Sequence, residues 1–337
     1  MATFNPKKNF SLEYSKAKGF LCYKDGELVG RIAGIISDVD NKNTGKKLVR
    51  FSRFECINDL DVFNALLGAV ENYGKENGME IIHGPWGFND QDREGMLTEG
   101  FEERATYATN YYYPYFAQNM RTLGFQDESK WVEFNFEIPK EENERMNKIA
   151  ERIKMKYNLR DVSETMSVKE IVKKYGDSLF DTLNESYGKL DGYVKVEGKM
   201  KENVLSQFAT ICNINYLSII IDENEEVAAF GVVLPSICDA LQKSNGRLFP
   251  FGAFRILRAV KKPNELEMAL IGVKDKYKNL GFNSIVISKI FNDIVKGDIC
   301  LLESNPMLEH NLSIQQTWKF TDYSIKKRRQ TFIKDIK

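Results

Sequence analysis

Residues 266–283 read Leu266-Glu267-Met268-Ala269-Leu270-Ile271-Gly272-Val273-Lys274-Asp275-Lys276-Tyr277-Lys278-Asn279-Leu280-Gly281-Phe282-Asn283, and the segment from Ser284 to Lys296 follows, closed by Gly297. The stretch to Val273 is short and apolar, as a buried strand is, and the segment after Asn283 carries apolar residues at helical spacing. The residues between them therefore form a strand-to-helix loop. Such a loop holds free backbone N–H groups at the positive end of a helix dipole, which suits a pyrophosphate. Gly281 allows close backbone approach, and Lys274, Lys276 and Lys278 add charge. The same residues also read as an ordinary turn with Asn283 as the helix N-cap.

The flanking sequence supplies a mixed α/β frame. Upstream, helices are expected near Val168–Tyr187 and Lys199–Cys212, then strands at Leu217–Ile221 and Val227–Leu234; downstream, a strand at Ile299–Leu302 and a last helix around Leu312–Trp318. The first half repeats this order without repeating the sequence. Asp25-Gly26 turns a hairpin into Leu28–Ile36, a strand runs from Leu48 to Ile57, and a helix behind Asp59 or Asp61 ends at Asn77-Gly78. Met79–Ile82, a loop from Gly84 to Thr109, a Tyr-rich helix closed by Gly124-Phe125 and a strand from Trp131 to Ile138 complete it. The charged stretch from Pro139 to Glu144 divides the halves, giving units at 1–140 and 141–337.

Composition narrows the function. The 337 residues hold 48 Lys plus Arg and 48 Asp plus Glu, a net charge of zero that does not favour DNA as a partner. Five scattered cysteines without a CxxC pair argue against a disulfide framework or a zinc finger, and suit a reducing, cytoplasmic setting. With only His83 and His310, neither a His-dependent triad nor a His-rich metal site is expected. No signal peptide is evident at Met1–Pro6, and the longest apolar run, Val227 to Pro235, is too short for a membrane span.

Lys278-Asn279-Leu280-Gly281-Phe282-Asn283 resembles the acyl-CoA loop of the GNAT acyltransferase superfamily, Arg/Gln-x-x-Gly-x-Gly/Ala, with the first basic residue altered and the last small one replaced. Gly272-Val273 before it, and Asn305 and Trp318-Lys319-Phe320 after it, fit the superfamily order. The chain is also similar to a bacterial family of tandem GNAT-like proteins. That similarity rests on Gly30-Arg31-Ile32-Ala33, Phe51-Ser52-Arg53-Phe54-Glu55, Gly84-Pro85, Asn89-Asp90, Gly95–Phe101, Pro114-Tyr115-Phe116, Leu123-Gly124-Phe125, Tyr277 and Glu303-Ser304-Asn305-Pro306-Met307. The resemblance implies two tandem domains, each a mixed twisted sheet flanked by helices. It also implies acetyl-CoA or another acyl-CoA as co-substrate, and a small-molecule or peptide amine as acceptor, in a monomer or homodimer.

On this resemblance Val273, Lys278, Asn279, Gly281, Phe282 and Asn283 would hold the acyl-CoA. Glu265 and Glu267 at the start of one strand and Glu303 at the end of the next, which the family pattern places with Asn305 in the catalytic set, are the candidates for the base; each glutamate also reads as a strand-end carboxylate or a salt-bridge partner. Gln315 and Met120 stand where the superfamily often has a tyrosine acid, and Ile57–Asp61 in the first half is acidic, so acyl-CoA would bind the second half. Trp86, Asn89, Tyr113 and Tyr115 either line an acceptor pocket between the halves or seal the interdomain core. His83 reads as structural, and Lys326–Arg329 as charges protecting an edge strand. Two other readings share these residues: a GNAT-fold binding protein without catalysis, and a Fem-type transferase using aminoacyl-tRNA.

Overall fold

A computed structural model describes residues 2–190, 192–311 and 321–336. The helix expected around Leu312–Trp318, with Gln315 and Trp318-Lys319-Phe320, lies outside the described residues.

The chain opens with a hairpin, β1 (Ser15–Lys24) and β2 (Glu27–Ser37), turned at Asp25 and Gly26, both with positive φ, as a tight primed turn requires. The helix α1 (Asp38–Thr44), β3 (Leu48–Cys56), α2 (Leu60–Glu76), β4 (Ile81–Gly84), β5 (Met96–Glu99), α3 (Pro114–Thr122) and β6 (Gln126–Phe136) follow. The second half runs α4 (Glu144–Lys156), β7 (Arg160–Asp161), α5 (Val168–Tyr187), α6 (Gly198–Ile211), β8 (Leu217–Ile221) and β9 (Val227–Pro235). It continues with α7 (Cys238–Gln242), α8 (Gly252–Lys261), β10 (Glu265–Val273), α9 (Phe282–Lys296), β11 (Leu301–Ser304), β12 (Met307–Leu308) and β13 (Tyr323–Asp335).

All strands join one mixed sheet in the order β1-β2-β3-β4-β13-β6-β11-β10-β9-β8-β7, with β5 on β13 and β12 on β6. Helices cover both faces, as a sheet apolar on two sides demands. In the first half α2 lays Phe63, Leu66 and Val70 on Phe51, Phe54 and Ile32. Asp59 caps that helix, accepting from the N–H groups of Asp61 and Val62, so the acidic Ile57–Asp61 loop has a structural task. In the second half α9 and α4 bury one face through Ile285, Ile290, Ile294 and Ala150, while α5 covers the other with Ile171, Tyr175 and Leu179. Each fully buried Val, Leu, Ile or Phe among these contributes about 1.5–3 kcal/mol.

The last strand departs from the expected division at residue 140. β13 comes from the far end of the chain, yet it pairs with β4 and β6 inside the first half of the sheet. The segment read as an edge strand is thus interior. Lys327 and Arg329 are each only 1% exposed, because β13 alternates them inward while Lys326 stays in solvent. Lys327 pairs with Glu133 at 3.1 Å and with Glu303 at 3.0 Å, and Arg329 pairs with Glu133. A buried cation persists only when paired in this way.

Candidate functional site

β10 and β11 run parallel from Glu265 opposite Leu301 to Met268 opposite Ser304, and then separate. On its other edge β10 stays paired with β9 as far as Val273, with a bulge at Ala269, which has no partner in the β9 register. The separation opens a cavity of about 370 Å³. Met268 to Ile271 form one wall and Val286, Ile287, Ile290 and Phe291 of α9 the apolar floor; Asn305 to Leu308 lie opposite, and Trp86, Asp90 and Glu94 of the first half close it. A mostly apolar cavity with a few convergent polar groups has the character of a ligand site.

Two side chains from the end of α5 reach the edge of β10 that β11 leaves free. The Tyr187 hydroxyl donates to the Ile271 carbonyl at 3.1 Å and accepts from the Ile271 N–H at 3.3 Å. Ser186 donates to the Val273 carbonyl at 3.0 Å. Together they satisfy backbone groups that a neighbouring strand would otherwise take. Burial pushes the Tyr187 phenol up to about 12, so it stays protonated.

Asp90 is the titratable group at the cavity wall with the most useful chemistry. Burial raises its carboxyl to about 7, and the nearby Arg50 guanidinium only partly offsets this. That guanidinium is committed elsewhere: it donates to Asp40 at 2.6 Å and stacks 4.9 Å from the centre of the Trp86 ring. Asp90 Oδ1 is enclosed without a protein partner. Glu94 beside it has Oε2 enclosed in the same way, and burial with the Asp90 charge holds its carboxyl well above the usual range. A carboxyl that changes protonation near neutral pH in an apolar cavity can accept a proton from a bound amine.

The residues singled out from sequence distribute unevenly around this cavity. Asn305 lines it, with Oδ1 enclosed and unpartnered, and Trp86 forms part of its wall with an unpartnered Nε1. Glu267 and Glu303, although cross-strand neighbours, are outside the lining. Glu267 accepts from Ser236 Oγ at 2.7 Å and from the Tyr107 N–H at 3.2 Å, and Glu303 is held by Lys327; burial raises the Glu303 carboxyl against the pull of that lysine. Both carboxylates belong to a buried polar layer under residues 104–107, where Lys327 also donates to the Arg104 carbonyl at 2.9 Å. Asn89 is buried and ties the Gln91 N–H to the Tyr14 hydroxyl. Tyr113 and Tyr115 stack on each other 5.7 Å apart at the start of α3, away from the cavity, with the Tyr115 hydroxyl donating to Cys56. His83 is buried against Glu128 at 3.0 Å, and that contact holds the Glu128 carboxyl well below the usual range.

In the 274–283 loop Gly281, not Asn283, occupies the N-cap position of α9, at φ +86, and Asn283 lies inside the first turn. Asn279 also has positive φ, so two left-handed residues shape the turn. Tyr277 stacks on Phe282 with centroids 4.5 Å apart, which fixes the loop to the helix. All three lysines meet carboxylates: Lys274 with Glu226 at 2.7 Å, Lys276 with Asp222 at 2.9 Å, and Lys278 with Asp275. What the loop offers an anion is therefore chiefly the first N–H groups of α9. Among the described residues no group of His, Cys, Asp and Glu could hold a metal ion, and no helix is long and apolar enough to cross a membrane.

This arrangement, two stretches of mixed sheet with a strand separation over a helix N-terminus, is the fold of the GCN5-related N-acetyltransferases in tandem form. A tandem GNAT protein from the clavulanic acid biosynthesis pathway superposes with a TM-score of 0.52 over 96% of this chain and 84% of that one, at 8% identity. In sequence, Protein YghO of Escherichia coli K12 is 26% identical over 319 residues, covering 90% of this chain and 78% of YghO. The bacterial ceramide synthase of Caulobacter vibrioides is 22% identical over 281 residues, covering 81% of this chain and 71% of the synthase. No family model matches.

Proposed function

We propose that the protein is an acyl-CoA-dependent N-acyltransferase whose acceptor amine is deprotonated by Asp90. The observation that carries this reading is a carboxyl raised to about 7 on the wall of an apolar cavity, at the strand separation of a GNAT fold. In the proposed reaction the amine nitrogen attacks the thioester carbonyl, Asp90 takes the amine proton, and the C–S bond breaks. The amide remains, and CoA leaves as a thiolate that takes up a proton. Asn305 Oδ1 orients the amine by accepting its second N–H, and the pyrophosphate rests on the N–H groups at Phe282 and Asn283.

The floor of Val286, Ile287, Ile290 and Phe291 favours an acyl chain longer than acetyl, since each buried methylene adds about 0.8 kcal/mol. The similarity to a ceramide synthase supports the same choice, because a ceramide is the amide of a fatty acid and a long-chain amine.

Thermal unfolding with acyl-CoAs of graded chain length, with ADP as control, tests the reading. Acyl-CoA at a hundredfold over its dissociation constant adds about 2.7 kcal/mol of stability, and the shift is expected to grow with chain length. Asn283→Asp places a negative charge in the first turn of α9, where it favours the helix but repels a pyrophosphate. The variant is expected to fold as well as the parent and to lose the shift. No shift with any acyl-CoA, or a shift unchanged by N283D, overturns the assignment.

A further inference from the structure

The insertion between β9 and β10 carries a surface that the acyl-transfer reading does not use. From 247 to 262 it reads Arg247-Leu248-Phe249-Pro250-Phe251-Gly252-Ala253-Phe254-Arg255-Ile256-Leu257-Arg258-Ala259-Val260-Lys261-Lys262, with five basic residues and no acidic one. Leu248, Phe249, Phe251, Phe254 and Leu257 are 52–81% exposed. A row of large exposed apolar side chains in one short segment is unusual, because single ones are common but clusters are not.

The helix α8 explains how they come together. At helical spacing Ala253, Ile256 and Val260 share an arc that is half-buried. Leu257 and Phe254 extend this apolar arc into solvent with Lys261 between them, Arg258 and Arg255 form the arc beside it, and Lys262 closes the helix. None of the five basic side chains pairs with a carboxylate among the described residues, although Arg255 donates to the Lys243 carbonyl at 2.8 Å, whereas Lys243 of the preceding turn is paired with Asp239 at 2.7 Å. The chain as a whole is neutral, so this is a local concentration of charge.

We propose that the 247–262 surface docks on an anionic lipid bilayer, with Phe249, Phe251, Phe254 and Leu257 entering the headgroup boundary and the five basic side chains meeting acidic headgroups. An amphipathic helix with Phe and Leu on one arc and Lys and Arg on the next is what an interfacial helix requires. A second copy of the chain fits less well. A two-fold contact would bring the same basic arc against itself, and like charges facing each other cost several kcal/mol. The position also suits a bilayer. The insertion joins the Pro235 end of β9 to the Glu265 end of β10, and the 274–283 loop is at the opposite end of that strand pair. A docked molecule therefore keeps its anion loop away from the charged lipid surface. This inference stands whether or not the cavity transfers acyl groups.

The test is sedimentation of the full chain with large unilamellar vesicles of phosphatidylcholine alone or mixed with phosphatidylglycerol. The chain is expected to partition to the anionic vesicles, with binding that weakens as salt rises. The double variants F249S/F254S and R258E/K262E each alter only exposed side chains, and each is expected to lower partitioning by about tenfold or more with an unchanged melting temperature. Absence of binding by the parent chain, equal binding to neutral vesicles, or variants that bind as the parent does overturns the proposal. So does a parent chain that sediments without lipid as a dimer which F249S/F254S converts to monomer, because the patch is then a contact between copies.

Discussion

At the residue scale, the Asp90 carboxyl ties folding to chemistry. Its value rises on folding from the ordinary aspartate 3.8 to about 7. Between those values the folded protein holds a proton that the unfolded chain has released, so stability falls as pH rises from about 4 to about 7 and then levels off. A shift of this size amounts to about 4 kcal/mol at most. Asp90→Asn removes the ionisable group, and its melting curve is expected to gain on the parent from pH 5 to pH 8. Acyl transfer moves the opposite way. The parent rate rises through a limb near pH 7 as the base ionises, and D90N loses the limb and about 10²–10⁴ in kcat. A parent rate without that limb, or a D90N enzyme that retains it, assigns the base elsewhere. Asp90 was visible in sequence as a member of the long 84–109 loop and, with Asn89, as part of the family resemblance, but not as a base. Its surroundings combine Trp86 of the same loop with Arg50 and the Tyr187 end of α5 from remote positions, a meeting that no local pattern encodes. The reverse holds for Glu267 and Glu303. Their placement at the ends of neighbouring strands was legible, but not the Ser236 and Lys327 partners that occupy them.

At the element scale, the end of α5 stands in for a missing strand at β10. Removing the Tyr187 hydroxyl leaves the buried N–H and carbonyl of Ile271 without it, at a cost of about 1–3 kcal/mol. Tyr187→Phe is therefore expected to melt below the parent by that amount. If acyl-CoA lays its amide-bearing arm on the same edge, the ligand re-pairs Ile271 in the variant. The thermal shift on adding acyl-CoA is then larger for Y187F than for the parent; an equal shift places the arm elsewhere. The elements themselves were largely legible. α5 falls at Val168–Tyr187 and α6 at Gly198–Ile211, within a residue of the helices the apolar spacing indicates. The strand separation was not, because Leu266–Val273 has the same apolar run whether one edge or both are paired. α8 is absent from the sequence reading because its inward arc, Ala253, Ile256 and Val260, is short and only half-buried, which leaves little apolar periodicity to mark a helix.

At the scale of the whole molecule, β13 makes the two halves interdependent. β4 and β6 do not pair with each other; β13 lies between them, with Phe332 opposite both Gly84 and Asp127, and fully buried in the core of the first half. The same strand carries Lys327, which joins Glu133 of the first half to Glu303 of the second inside the protein. Alternation along Lys326–Arg329 fitted an edge as well as an interior strand, and only the buried carboxylates decide between them. The consequence is that residues 1–140 alone leave β4 with one open edge and β6 with two, since β6 otherwise lies between β13 and β11, and lack a core residue. Such edges aggregate. The fragment is expected to unfold without a cooperative transition and to associate in solution. A peptide of residues 322–337 added in trans is expected to restore cooperative melting, because it supplies Phe332 and the ladders on both sides of β13, although the β11 edge of β6 stays open. The same peptide carrying Phe332→Ala removes about 3–5 kcal/mol of packing and is expected to fail at concentrations where the native peptide succeeds. A 1–140 fragment that melts cooperatively without the peptide assigns the last strand to the second half after all, and the joint between the halves to some other contact.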